Sequence, residues 1–282
     1  KDLLKPSVYA LIVGMIVSVI GIIPLAGAAF FLSNSQIGFF ILFFMGSILA
    51  FVQFVVRYIF SGMTVYLIYG YLAEGDGRMD KAWAIVRRDF FDILTLAAAS
   101  TAVNMLRGLA NRNRNRGITG SLISSATGLF QMLWTEAAYL ILPAMVIDDL
   151  NLKNSMVRIL NITRENLLLI GISTVGVRWV TGLISFLFGA VGFVIGFVIG
   201  GGMVYISNGN TAVSVIGIAI GALTFFTFVM VASVFSTYTS TAYHTCLYIW
   251  ARDVETAKAQ GSTIKVAAPA PLAAALASAR FR

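Results

Sequence analysis

Six long runs of apolar residues constrain the fold of this sequence more than any other feature. The runs cover residues 8–32, 37–72, 90–109, 118–147, 167–200 and 212–250. Each reaches or exceeds about 20 residues, the length that an α-helix needs to cross the hydrocarbon core of a bilayer. Backbone polar groups in lipid must be satisfied within the segment itself, so such runs fold as helices. The sequence therefore predicts an all-α integral membrane protein, a bundle of six transmembrane helices.

The composition agrees with this class and excludes others. Hydrophobic residues make up 59% of the chain and charged residues only 11%, with a formal net charge of +8. Soluble chains carry roughly twice that share of charged residues. A basic excess is typical of the cytoplasmic rim of membrane proteins, so nucleic acid is not an expected partner. The expected first partner is the lipid bilayer itself.

The positions of lysine and arginine predict the orientation. The connections 73–90 and 148–166 and the tail after 251 are rich in basic residues, whereas the connections 33–36 and 201–211 contain none. Cytoplasmic connections of membrane proteins carry the excess of Lys and Arg. We therefore expect a multi-pass protein of the plasma (inner) membrane of a prokaryote, with both termini in the cytoplasm.

One basic segment does not follow this pattern. The stretch "NRNRNR" carries Arg112, Arg114 and Arg116, with Arg107 just before it, and this orientation places it outside. An external basic patch can anchor anionic lipid headgroups or an acidic partner. The alternative is a turn whose charges are simply solvated.

Two charged segments interrupt the apolar pattern with helical periodicity. Residues 78–88 and 152–164 place apolar side chains three or four apart, the spacing of an amphipathic helix. Basic residues on the opposite face suit a helix that lies at the cytoplasmic surface of a membrane. The predicted apolar faces are Met79, Trp83, Val86 and Phe90 in the first segment, and Leu152, Met156, Ile159, Leu160 and Thr163 in the second.

A basic residue, an acidic residue and a large apolar start recur at Lys1, Arg88 and Arg164. This recurrence predicts an internal repeat in which an amphipathic interfacial helix precedes a two-span helical hairpin. The six-helix domain 1–251 then divides into repeats at about 1–73, 74–147 and 148–251, followed by a cytoplasmic tail, 252–282, with a Pro/Ala linker. The alternative is that any protein with an even number of spans has basic cytoplasmic loops.

The lines "SGMTVYLIYGYLAEGDGRMDKAWAIVRRDFFDIL" and "YLILPAMVIDDLNLKNSMVRILNITREN" carry a family resemblance. They share a proline near the end of an even-numbered span (Pro143), an acidic cap (Asp148, Asp149) and a basic amphipathic helix. In these features the chain resembles an uncharacterised family of prokaryotic polytopic membrane proteins, distantly similar to the membrane domain of some glycerophosphodiester phosphodiesterases. The resemblance implies six membrane helices and no particular reaction.

Ionisable residues inside predicted spans are the main candidates for function, because charge in hydrocarbon is costly. Arg57, Glu136 and Arg178 qualify. We expect Glu136 to be ionised and paired with Arg57 or Arg178, leaving one arginine for a lipid phosphate or a partner. The alternatives are a purely structural pair with a snorkelling arginine, or a transport or lipid site.

Other residue patterns predict packing rather than chemistry. Gly192, Gly196 and Gly200 have the small-xxx-small spacing that lets membrane helices approach closely, and we expect a helix-packing seam there. His244 and Cys246 are the only histidine and cysteine, and positions two apart point to different faces of a helix, so no metal site is expected. No catalytic residues and no cofactor are predicted.

Three classes of function remain. A non-catalytic integral membrane scaffold, or an accessory subunit of a larger membrane complex, fits best; its partners are other membrane subunits or further copies of the chain. A transporter or lipid-handling protein is the alternative. An intramembrane enzyme fits least, since the spans offer no nucleophile–base set.

Overall fold

The protein is described from a computed structural model, which covers residues 2–32, 36–112, 118–165, 167–207 and 210–260. Within these ranges every regular element is helical. A 3-10 turn at Asp2–Leu4 precedes eight α-helices: α1 (Lys5–Leu32), α2 (Gln36–Glu74), α3 (Met79–Arg88), α4 (Phe90–Arg112), α5 (Ile118–Asp148), α6 (Leu152–Glu165), α7 (Leu167–Ile206) and α8 (Thr211–Ala259).

Among the described residues, six helices are long and apolar enough to cross a membrane, namely α1, α2, α4, α5, α7 and α8. This confirms the predicted all-α class and the multi-pass membrane character. The predicted helix bounds are correct to within a few residues except after residue 200. The expected turn over 200–210 is wrong there, because α7 continues to Ile206, and the last helix passes its predicted end at 250 and continues to Ala259. Glycine destabilises a membrane helix little, because in lipid the backbone N–H and C=O groups find no partner other than each other within the helix.

Two unusual backbone conformations shape the connections at one end of the bundle, called here the α3/α6 end. Gly75 has φ of +73° after α2, and Asp149 has φ of +54° after α5. Left-handed backbone suits glycine, and aspartate is among the few other residues that adopt it. The Asn151 side chain then accepts a hydrogen bond from the Asn154 amide at 2.9 Å, an N-cap for α6.

The chain divides into two compact units. The first unit comprises residues 1–170 and 241–282, and the second unit comprises residues 171–240. These boundaries differ from those of the predicted repeats, and the three-repeat organisation stays a prediction. The tail is described only to residue 260, so most of the predicted linker lies outside the described residues.

The first unit has a core of large side chains. Its most deeply buried members are below 2% exposed and come from five helices: Leu67 of α2, Val86 of α3, Ile93 and Leu96 of α4, Ile141, Leu142 and Met145 of α5, and Leu247 and Tyr248 of α8. These positions lie towards the α3/α6 end. The rest of α1, α2 and α5 exposes leucine, isoleucine and phenylalanine, as expected of helices that face lipid.

The second unit has an interior of a different kind. A methyl group added at Gly192 would lie 2.5 Å from Cβ of Phe228, and one added at Gly196 would lie 2.5 Å from the Gly221 carbonyl oxygen. A methyl group added at Gly200 would lie 3.2 Å from the Gly217 carbonyl oxygen. The predicted glycine seam therefore coincides with a close approach of α7 and α8.

Both segments predicted to be amphipathic helices are helical, as α3 and α6. Their apolar faces, predicted to lie against lipid or the bundle, are partly buried in the bundle and partly exposed. In α3, Ala82 and Val86 are buried, whereas Trp83 is 52% exposed. In α6, Ser155, Ile159 and Ile162 are buried, whereas Met156 and Leu160 are about half exposed. The bundle face of each helix combines a small residue (Ala82, Ser155) with branched ones (Val86, Ile159, Ile162), while Trp83 and Met156 face outward.

Candidate functional site

A layer of polar side chains crosses the first unit near the middle of its spans. The Tyr58 hydroxyl lies 2.7 Å from Ser100 Oγ, and Trp134 Nε1 donates to the same Oγ at 2.9 Å. Ser100 lies near the middle of α4, the shortest span, whose 23 residues extend about 34 Å and barely cross a hydrocarbon core of about 30 Å. The layer that contains Tyr58, Ser100 and Trp134 is therefore close to the middle of the span.

Arg57 belongs to this layer and lies on the exposed surface of α2. Its guanidinium donates a hydrogen bond to the Tyr139 hydroxyl and lies 5.4 Å from the centroid of the Tyr139 ring. Both contacts are with a neutral side chain. In the described part of the chain, no carboxylate forms an ion pair with Arg57.

Glu136 lies in the same layer, and one of its carboxylate oxygens is 3.3 Å from His244 Nε2. His244 is almost fully buried, and its ring stacks on Tyr139 with centroids 5.0 Å apart and planes 18° apart. The edge of Tyr243 lies against the imidazole from the same helix. Glu136 and His244 thus bring a carboxylate and an imidazole into contact within the layer.

This geometry corrects part of the sequence prediction. The expected pair between Glu136 and Arg57 is not formed, because the Tyr139 hydroxyl, one turn further along α5, takes the guanidinium. The side chain of Arg178 lies outside the described residues, so its pairing with Glu136 stays a prediction. The sequence reading missed His244 as a partner because it placed that residue at the end of a span. In fact α8 continues to Ala259, well beyond it.

A second cluster, called here the Asp148 network, lies at the α3/α6 end. The Asp148 carboxylate accepts hydrogen bonds from the Tyr248 hydroxyl and from Arg252 Nη1, the latter at 3.1 Å. Arg158 Nη2 lies 3.5 Å from the same carboxylate and 3.4 Å from Glu255. The network joins α5, α6 and α8. Since each charge in it has an opposite partner, its role is to hold these helices together.

Asp89, between α3 and α4, is a third charged position. Its carboxylate is buried and accepts two hydrogen bonds from Arg88, at 2.6 and 3.2 Å. Burial raises the pKa of Asp89, and the Arg88 guanidinium partly offsets that rise. Arg88 also lies 3.1 Å from Asp149, so it ties the start of α4 to the α5–α6 connection.

The opposite end of the bundle, called here the α4–α5 end, carries the predicted external basic patch. Arg112 stacks over the Phe39 ring with its guanidinium carbon 3.7 Å from the centroid. Arg114 and Arg116 lie outside the described residues. Arg107, which belonged to no predicted site, donates a hydrogen bond to the Gln131 side chain.

The described residues hold no cluster of three or more side chains suited to bind a metal ion. The mid-span layer thus offers two chemical features: an exposed arginine that can meet an anion, and a carboxylate in contact with a buried imidazole. Comparison with family models, with curated proteins and with solved structures finds no match.

Proposed function

We propose that this protein is a non-catalytic integral membrane scaffold, or an accessory subunit of a larger membrane complex, and that Arg57 is its assembly contact. The observation that carries the proposal is an exposed guanidinium near mid-span whose contacts are with a neutral tyrosine. A charge at that depth is costly unless an opposite charge or a strong acceptor meets it. An acidic side chain on a span of another subunit, or of a further copy of the chain, supplies that acceptor.

The tyrosine contact supports this assignment because it holds the arginine in place. An arginine side chain otherwise loses much rotamer freedom when it binds. The Tyr139 hydroxyl and ring restrict the Arg57 guanidinium before any partner arrives, and the stacked His244 ring restricts Tyr139 in turn. A preorganised charge binds with less entropic loss than a mobile one.

The orientation belongs to the same proposal. We infer that both termini and the α3/α6 end face the cytoplasm of a prokaryotic cell, because the basic connections lie there. Helices α3 and α6 then lie along the inner surface of the plasma membrane, with Trp83 and Met156 towards the headgroups. The three hairpin repeats, and the kinship with the polytopic family named above, are proposed on the sequence pattern.

The test is the stoichiometry of co-purifying subunits after mild detergent extraction from the native membrane. Arg57→Leu should lose a partner that the wild-type protein retains, and Arg57→Lys should retain it at least in part because the charge is kept. Arg87→Gln is the matched control, since it removes an exposed positive charge from α3 instead of mid-span.

A charge exchange makes the test specific. Arg57→Glu should lose the partner, and replacing the partner's intramembrane acid with arginine should restore it. Equal recovery of the same subunits with wild-type protein and Arg57→Leu would overturn the proposed assembly contact.

A transporter or lipid-handling protein is the second candidate, and the Glu136–His244 pair favours it. Intramembrane carboxylate and histidine residues form proton relays in pumps and transporters. In proteoliposomes with a trapped pH dye, a transporter would carry protons, and Glu136→Gln would abolish the flux with little change in thermal stability. In a scaffold, Glu136→Gln lowers stability and there is no flux to lose.

A further inference from the structure

A polar crevice opens on the surface of the first unit at the α4–α5 end. It lies between α2 and α4 and has a volume of about 320 Å³. Phe43 and Gly46 line one side, and Asn104, Arg107 and Asn111 line the other. Polar side chains are rare on the lipid-facing surface of a span because they are costly there. A row of three on one face of α4 therefore points to a ligand.

The crevice is organised by hydrogen bonds between neutral groups and one arginine. Arg107 donates to the Gln131 side-chain oxygen, and the Gln131 amide donates to Asn104 at 3.3 Å. Ser124 donates to Asn111 at 2.7 Å. These bonds fix the side chains of α4 against α5, yet they leave the positive charge of Arg107 without a counter-charge.

The sequence around the crevice carries an excess of positive charge. Residues 93–135 contain four arginines and no aspartate or glutamate. Arg112, the other described arginine of this stretch, packs on Phe39. Over the described part of α2, α4 and α5 near the crevice, no carboxylate pairs with either arginine. Arginine is well suited to a phosphate because its fork of donors matches two phosphate oxygens.

We propose that this crevice binds the phosphodiester headgroup of an anionic phospholipid. Arg107 donates to the phosphate oxygens, and Asn111 and Ser47, which also line the crevice, are placed to contact the polar headgroup. Arg107 lies about 10 Å from Ser100 along α4, so its long side chain can carry the guanidinium out to the level of the headgroups. Phe43 and Met105, which also line the crevice, offer an apolar surface for an acyl chain.

This site is independent of the proposed function, since it shares no residue with the Arg57 contact. A lipid fits it better than free phosphate does, because the crevice is open along the side of the bundle and is flanked by apolar residues. Those residues gain nothing from a small hydrated anion.

The experiment uses the full chain reconstituted in vesicles of equal parts phosphatidylglycerol and phosphatidylcholine. The protein is extracted in mild detergent, and the retained lipids are quantified per protein. Wild-type protein should retain phosphatidylglycerol in preference by about tenfold, the effect of one charge-assisted hydrogen bond. Arg107→Gln should abolish that preference, whereas Arg87→Gln, which removes a charge elsewhere, should leave it unchanged.

A second variant covers the case in which Arg107→Gln does not fold. A side chain added at Gly46 meets no atom within 4 Å of its Cβ, so Gly46→Leu fills the crevice while it keeps the arginine. It should release the retained lipid.

An unchanged preference in Arg107→Gln or in Gly46→Leu would overturn the proposal, as would an equal loss in Arg87→Gln. Displacement of the lipid by millimolar inorganic phosphate would assign the site to the free anion instead.

Discussion

The two compact units of this protein bury opposite kinds of side chain. The first unit buries leucine, isoleucine, methionine and tyrosine together with a network of charges. Within the described side chains of the second unit, the buried residues are Thr181, Gly192, Gly196, Gly200, Gly217, Gly221 and Ala232, none larger than threonine. Large apolar residues such as Trp179 and Phe186 are exposed there.

The difference reflects what drives packing in each place. In lipid there is no hydrophobic gain from burying a leucine, since lipid tails are equally apolar, so helices associate through small residues that let the backbones touch. The first unit instead buries large side chains towards its α3/α6 end, some of them, such as Leu96, within a span, whereas the second unit has an interior lined by small residues.

The largest effect expected from this comparison is in the Asp148 network. Asp148→Ala removes the shared partner of Arg252 and Arg158, whose side chains are only 25% and 31% exposed. Stranding a buried charge costs about 3–5 kcal/mol, and because Glu255 and Asp253 stay near the two arginines we expect the lower end, about 3 kcal/mol. The free energy of unfolding in bicelles, measured by steric trapping, should fall by that amount.

The control for that variant is Asp253→Ala on the same helix. Asp253 is half exposed and lies 3.8 Å from Arg252, so its loss should cost less than about 1 kcal/mol. Equal losses for the two aspartates would show that the network is not the element that holds α5, α6 and α8 together.

Leucine truncation compares the two units directly. Leu96→Ala leaves a cavity at a fully buried site of the first unit and should cost about 3 kcal/mol of unfolding free energy. Leu183→Ala in the second unit removes a side chain that is 54% exposed and should change stability by no more than about 0.5 kcal/mol. A large loss at Leu183 would break the comparison, since the second unit would then also depend on large side chains.

Glycine-to-alanine substitution should destabilise the second unit, where leucine truncation should not. Its effect is smaller than those above. In Gly196→Ala the new methyl group meets the Gly221 backbone oxygen, which cannot move aside, so α7 and α8 must separate at a cost of about 1–3 kcal/mol. Gly189→Ala, two turns earlier, meets nothing within 4 Å and should be neutral or stabilising by up to about 1 kcal/mol. Equal thermal shifts for the two variants would contradict the seam.

Much of the fold is predictable from the sequence, because apolar runs long enough to cross a bilayer have few alternatives to helix. The two amphipathic segments are also predictable as helices, because their apolar residues recur every three or four positions. The sequence does not predict which side of each helix faces the bundle. In water an apolar side chain marks the buried face, but near a membrane Trp83 and Met156 have lipid as a second apolar environment. The bundle face then includes the small residues Ala82 and Ser155 beside Val86, Ile159 and Ile162.

The candidate site is only partly predictable. Counting residues along a helix gives the depth of Arg57 and Glu136 but not their rotation about the helix axis, and rotation decides that Tyr139 meets Arg57. The Glu136–His244 contact joins residues far apart in the chain and needs the true end of α8. In the sequence, Arg107 stands out only because it lies by the one basic segment that the predicted orientation places outside. That departure from the pattern of basic residues is the sequence signal for the crevice.

The central claim is that the layer of Arg57, Glu136 and His244 lies inside the membrane while α3 lies at its surface. Spin labels at Leu133→Cys and Trp83→Cys test it directly, because both sites are exposed on the protein, at 68% and 52%. Leu133 adjoins Trp134 of the layer. The label at 133 should collide freely with oxygen and hardly at all with a water-soluble nickel chelate, and the label at 83 should show markedly more nickel contact. A label at 133 as accessible to nickel as that at 83 would place the layer outside the bilayer and contradict the account.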